Sequence, residues 1–150
     1  PGLRLAYLVV PETLSARFEQ LCWLGGGAPG LTQAILAAFM AEGHFGRHIQ
    51  RMRRLYAQRR EAAAAGLAEA LGTRLRIEPQ PGGMHMVARL RAGQGDRRLA
   101  QRMVEQGLFA EAVSRWYAGP GGQPGLLLSF TNIASAAQAR ELGLRIRALM

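Results

Sequence analysis

The chain has 150 residues, 49% of them apolar, which excludes a disordered tail and is enough for one domain with a real core. Its 19 basic residues are all arginine against 10 acidic ones, giving a net charge of +9, and the absence of lysine excludes a Schiff base on any side chain. The lone Cys22 excludes an internal disulfide and reads as a small buried hydrophobe in a reducing cytoplasm; no stretch has the pattern of a secretory signal or the roughly 20 apolar residues of a membrane helix.

In chain order, Leu3 to Val10 reads as a buried strand ended by Pro11, in a chain that starts without methionine and is expected to be part of something longer. Pro11 to Leu24 reads as a helix start followed by an irregular apolar stretch, and the run from Gly25 to Gly30 as a break. Thr32 is the expected N-cap of a helix reaching about Ala41, with Gly43 closing it. A long helix follows from about Phe45 to Leu71. Its apolar stripe is Ile49, Met52, Tyr56, Ala63, Leu67 and Ala70, with Arg47, Arg51, Arg54, Glu61 and Glu69 opposite, and Gly72 stops it.

The remainder alternates strand and helix. Arg74 to Glu78 is a short strand, Pro79 to Gly83 a turn, and Met84 to Leu90 an alternating strand with Met84, Met86, Ala88 and Leu90 inward. Asp96 is the expected N-cap of a helix through Gln106. Leu108 to Val113 is a strand, Gly119 to Gly125 a loop, and Leu126 to Phe130 a continuous apolar strand placed centrally. Ser135 is expected to cap the last helix, with Leu142, Ile146 and Leu149 inward. Residues from about 73 onward therefore make a compact unit of strands and packed helices, whereas the first 44 belong to a larger sheet completed elsewhere.

Pro1 to Tyr7, the stretch from Gly43 to Arg60, Pro81 to His85 and Gly125 to Phe130, in this order, resemble the fold-type-I, pyridoxal-phosphate-dependent aminotransferase-like domain of MocR-type regulators. Pro1-Gly2-Leu3-Arg4-Leu5-Ala6-Tyr7 is similar to the motif that follows the Schiff-base lysine in that family. Gly43-His44-Phe45, His48, Arg51 to Arg54, Tyr56 and Arg59-Arg60 are similar to its linking helix. Pro81 to His85 looks like the turn that opens a small-domain strand, and Gly125 to Phe130 like the penultimate core strand. The resemblance implies an α/β fold with an α+β small domain. Residues 1–44 would be the tail of the large domain, 45–72 the linking helix and 73–150 the small C-terminal domain. It further implies pyridoxal 5'-phosphate in the parent protein, a homodimer, an amine or amino-acid effector, and DNA bound through an upstream winged helix-turn-helix domain of GntR type.

Arg4 is the candidate cofactor-binding residue: a guanidinium grips two phosphate oxygens at once, and the resemblance implies that role. Leu127 stands where many aminotransferases carry the arginine that binds the substrate carboxylate, so the chain departs from the family there. Arg115 or a residue outside the chain substitutes for it, or Arg115 is a solvated strand-end charge. His85 either faces the ligand cleft or is structural. His44 and His48, at i and i+4, have helical metal-ligand spacing but no evident third ligand. Tyr7, Met84 and Met86 read as packing.

Three functions compete. One is a sensor domain working through differential affinity of two conformations for its ligand. A second is the C-terminal fragment of a true aminotransferase, against which Leu127 weighs. The third is a basic nucleic-acid-binding module centred on the arginines from 47 to 60, against which the lack of interleaved aromatics weighs.

Overall fold

The structure, a computed structural model, describes residues 5–78, 82–91, 95–119 and 121–150. The chain divides into two compact units, residues 1–50 and 51–150. The first holds α1 (Glu12–Leu24), α2 (Gly30–Ala41) and the start of α3 (His44–Leu71). The strand expected from Leu3 to Val10 is not formed: residues 5–11 are irregular, and the first four residues lie outside the described part. A strand exists only through hydrogen bonds to a neighbour, and the described residues of this unit hold no other strand. The stretch after Pro11 is helical throughout rather than irregular, because Leu14, Phe18 and Leu21 repeat at helical spacing. The next helix starts at Gly30 behind Pro29, two residues before the Thr32 expected to cap it.

No residue of α1 or α2 is buried. Cys22, expected inside a core, is exposed, and Tyr7 is 71% exposed. Helices of 13 and 12 residues have too little apolar surface to enclose one another. Gly43, at φ 75°, takes the left-handed conformation after α2 that a side chain disfavours.

The second unit holds the core. Four antiparallel strands, β1 (Leu75–Ile77), β2 (His85–Leu90), β3 (Glu111–Ala112) and β4 (Gly125–Ser129), lie in the order β1-β2-β4-β3. The apolar run from Leu126 is therefore central, as its composition predicts. Most of the turn expected between β1 and β2, from Pro79 to Pro81, lies outside the described residues. α4 (Asp96–Glu105) and α5 (Ala136–Ala148) complete the unit. One face of the sheet, with Leu75, Met86, Ala88, Leu90, Ala112, Leu126 and Leu128, joins a core with residues of α3, α4 and α5. From the helices come Ala63, Leu67 and Leu71, Leu99 and Met103, and Ala139 and Ile146. Alternation along β2 gives this face directly, except that Met84 lies before the strand and is 51% exposed instead of packed.

The stripe on α3 is read correctly in its second half: Ala63, Leu67 and Ala70 are buried, while Arg51, Arg54, Glu61 and Glu69 face outward. Ser135 caps α5 as expected, its hydroxyl accepting from the Gln138 amide at 3.2 Å. No described helix is long and apolar enough to cross a membrane.

α3 and α5 meet through small residues. A Cβ on Gly66 would lie 2.6 Å from the Ala139 Cβ and 2.7 Å from the Arg140 amide nitrogen, and one on Gly143 would lie 2.6 Å from the Ala70 Cβ. Backbone atoms cannot swing aside as a flexible side chain does, so the helices would have to separate. Gly66→Ala is expected to destabilise this unit by about 1–3 kcal/mol in urea unfolding, despite the higher helix propensity of alanine. A neutral or stabilising result would mean that the helices are not this close.

Candidate functional site

The other face of the sheet carries the polar and half-buried side chains. Register places three rows of side chains on it. Arg76 lies beside Arg89, which pairs with Gly125; Val87 lies beside Leu127, which pairs with Glu111; and His85 pairs with Ser129. These residues alternate with the core residues of the same strands, which is why they are half-buried or exposed. Gly125 is the buried exception, lying under the Arg89 side chain: a Cβ there would come within 3.3 Å of Arg89 Cδ.

At the Gly125 end, Arg89 is held by an ion pair and two hydrogen bonds. Its Nε lies 3.1 Å from Glu78 Oε1, and its Nη1 donates to the Tyr117 hydroxyl at 2.8 Å and the Gln123 carbonyl at 3.0 Å. The hydrogen bond to Glu78 is the main reason its guanidinium is held still more firmly in the charged form. Arg76 reaches the same carboxylate at 3.6 Å. At the opposite end, Ser129 Oγ and Thr131 Oγ1 are 3.1 Å apart, and Arg59 of α3 donates to the Thr131 carbonyl. Tyr56 meets Phe130 edge-on with ring centroids 6.3 Å apart.

Arg4 lies outside the described residues. His85 is exposed at the Ser129 end. Arg115 is exposed in a 3-10 turn (Val113–Trp116) that follows β3, beyond the pairing of Ala112 with Leu126. The two are thus at opposite ends of β4, whose length is roughly 13 Å at about 3.3 Å per residue. His44 holds Glu42 through Nε2 at 3.1 Å and Arg47 through Nδ1 at 3.0 Å. The residue that sequence reasoning missed is Glu111. Nothing local marks it; only the register that sets it opposite Leu127 does.

Asp96 does not cap α4 as the sequence suggests, because Gly95 occupies that position. Its carboxylate turns inward instead. It accepts from the Ser114 hydroxyl at 2.6 Å, the Ser114 amide at 2.9 Å and the Gly125 amide at 3.1 Å, in a residue only 3% exposed. Burial pushes this carboxyl up, but the hydrogen bonds from Ser114 and Gly125 outweigh it and hold the pKa below the ordinary value. The carboxylate is a clasp joining α4, the turn after β3, and β4.

The first unit has an apolar cleft of about 840 Å³ whose lining includes Leu5, Tyr7, Cys22, Leu36, Met40 and Phe45. The charge is not shared between the units. Residues 51–150 carry 16 of the 19 arginines against 7 of the 10 acidic residues, so the whole net charge of +9 belongs to them.

A family model described as aminotransferase class I and II matches residues 1–125. The "Probable rhizopine catabolism regulatory protein MocR" of Rhizobium meliloti is 35% identical over 134 residues, covering 89% of this chain and 27% of that protein. The "HTH-type pyridoxine biosynthesis transcriptional regulator PdxR" of Corynebacterium glutamicum is 30% identical over 131 residues, covering 87% of this chain and 28% of that protein. The chain thus spans just over a quarter of the length of these curated relatives. The crystal structure of LysN, the alpha-aminoadipate aminotransferase of Thermus thermophilus, superposes with a TM-score of 0.79 at 25% identity, covering 100% of this chain and 40% of that one.

Because its carboxylate has a depressed pKa, Asp96 contributes stability that is full above the unfolded-state value of about 3.9 and is lost as pH falls through the folded value. Asp96→Ala is expected to cost about 3 kcal/mol at neutral pH by stranding buried donors. Asp96→Asn is expected to abolish the acid-side slope of stability contributed by this group. Acid titration of unfolding free energy checks both, and a slope unchanged in the asparagine variant would assign the pH dependence elsewhere.

Proposed function

Since the chain belongs to the aminotransferase class I and II family, we propose that it is the C-terminal part of the effector-sensing domain of a MocR-type transcription regulator of the GntR family. Residues 1–44 are then the tail of the large domain, 45–72 the linking helix, and 73–150 the small domain. The reading rests above all on Leu127. It occupies the middle of the exposed sheet face, where many aminotransferases carry the arginine that binds the substrate carboxylate. The likeness to two regulators over most of the chain supports it.

Pyridoxal 5'-phosphate in the parent supplies an electrophilic carbonyl that captures primary amines. This chain has no lysine with which to hold it. Arg4 is the residue proposed to grip its phosphate. Anchoring the cofactor covalently is therefore work for residues outside the chain. What these 150 residues contribute is the sheet face against which an amine-bearing effector rests, with His85 and Ser129 at one end and Arg115 at the other.

A ligand regulates only by binding one conformation of the parent more tightly than another. The parent is proposed to act in the cytoplasm as a homodimer, contacting DNA through an upstream domain. The excess positive charge of residues 51–150 attracts DNA toward the complex without reading its sequence. The exposed apolar surface of α1 and α2 is where the rest of the large domain would pack. A transaminase parent is the second reading, favoured by the structural likeness to LysN.

The complete parent is expected to bind pyridoxal phosphate and its own promoter DNA, with no appreciable amino transfer. Rapid transamination without DNA binding would replace the sensor by an enzyme. Arg4→Ala in the parent is expected to weaken cofactor retention about tenfold or more, the usual effect of losing a charge-assisted hydrogen bond. Equilibrium dialysis of the cofactor measures this, and unchanged retention would leave Arg4 a structural residue.

A further inference from the structure

We infer that the effector is a diamine rather than an amino acid, and that Glu111 reads its second ammonium group. The inference rests on the sensor reading and adds the class of ligand to it. It starts from the charges on the exposed sheet face. Arg89 is spent on Glu78, Tyr117 and Gln123, Arg76 lies against the same glutamate, and Arg59 is spent on the Thr131 carbonyl. Arg115 lies beyond the far end of β3.

The central row therefore offers no cation. It reads Val87, Leu127, Glu111: two apolar side chains and one carboxylate. Glu111 is half-buried and has no hydrogen bond or ion pair among the described residues. Its neighbour across the strands is Leu127, with Cβ atoms at roughly 4.5–5.5 Å, the usual spacing of such pairs. A ligand lying on Leu127 is thus within reach of the Glu111 carboxylate.

A carboxylate placed there would meet an apolar side chain and a like charge, with no arginine in this row to offset either. Partial burial makes that repulsion stronger than it would be in water. An ammonium placed there gains a charge-assisted hydrogen bond to a carboxylate that lacks a partner, and its alkyl chain covers Leu127 and Val87. A ligand with one amine available to the cofactor and a second for Glu111 satisfies both ends. An α-amino acid of the same length puts its carboxylate where this face repels it.

The discriminating pair is 1,4-diaminobutane and ornithine, which share a chain and differ by the carboxylate. Both are titrated calorimetrically into the complete parent loaded with cofactor. Diaminobutane is expected to bind at least tenfold more tightly. Glu111→Gln is expected to remove most of that preference, and Leu127→Arg to turn it toward ornithine. Should the leucine replacement fail to fold, the nearly isosteric Glu111→Gln carries the test alone. Equal or tighter binding of ornithine, a preference unchanged in Glu111→Gln, or no binding of either compound would overturn the inference. Cofactor retention and promoter binding by the same preparation report separately on the sensor reading. A parent that keeps both and prefers ornithine loses only the diamine.

Discussion

The close crossing of α3 and α5 is the constraint on which the second unit depends. Gly66 and Gly143 allow each helix backbone to approach small side chains of the other, and no larger residue fits at either position without moving backbone. With the helices this close, Leu67 and Leu71 from one and Ala139 and Ile146 from the other reach the same layer of core. That layer covers one face of the sheet. Close packing of this kind tolerates little change in volume, so the separation of the helices sets which strand residues are enclosed.

The sheet is held at its Gly125 end by a polar clasp as well as by apolar contact. Asp96 takes three hydrogen bonds from elements well separated in the chain, and Arg97 adds two to Ser114 at 3.1 Å each. A buried carboxylate is tolerable only when its oxygens are this well satisfied. Beside it, Arg89 gathers Glu78, Tyr117 and Gln123 into a second network. These networks consume the polar groups at one end of the exposed face. The middle of that face is left apolar, with Glu111 beside Leu127.

Fold sets where a ligand can lie, whereas the side chains on the sheet face set which ligand is held. Leucine at the centre of β4 is compatible with the fold, because a side chain on this face packs only against its cross-strand neighbours and not into the core. It changes what the face can bind.

The sequence by itself determined the elements whose signals are local. The period of α3, the Ser135 cap, the alternation of β2 and the continuous apolar run of β4 each lie within a few residues, and each is found where expected within one or two positions. Ordered motifs along the chain were also enough to identify the family, since they do not require contacts to be known. What only the tertiary structure decided depends on residues far apart. Asp96 reads as a cap from its neighbours, yet its partners are 18 and 29 positions away. Cys22 and Tyr7 are apolar enough to be assigned to a core, but burial requires surrounding elements that the described part of their unit does not supply. That His85 and Arg115 lie toward opposite ends of β4 is fixed by register alone. Glu111 gains its meaning from the strand beside it, because a shift of one residue in pairing would have turned it to the other face.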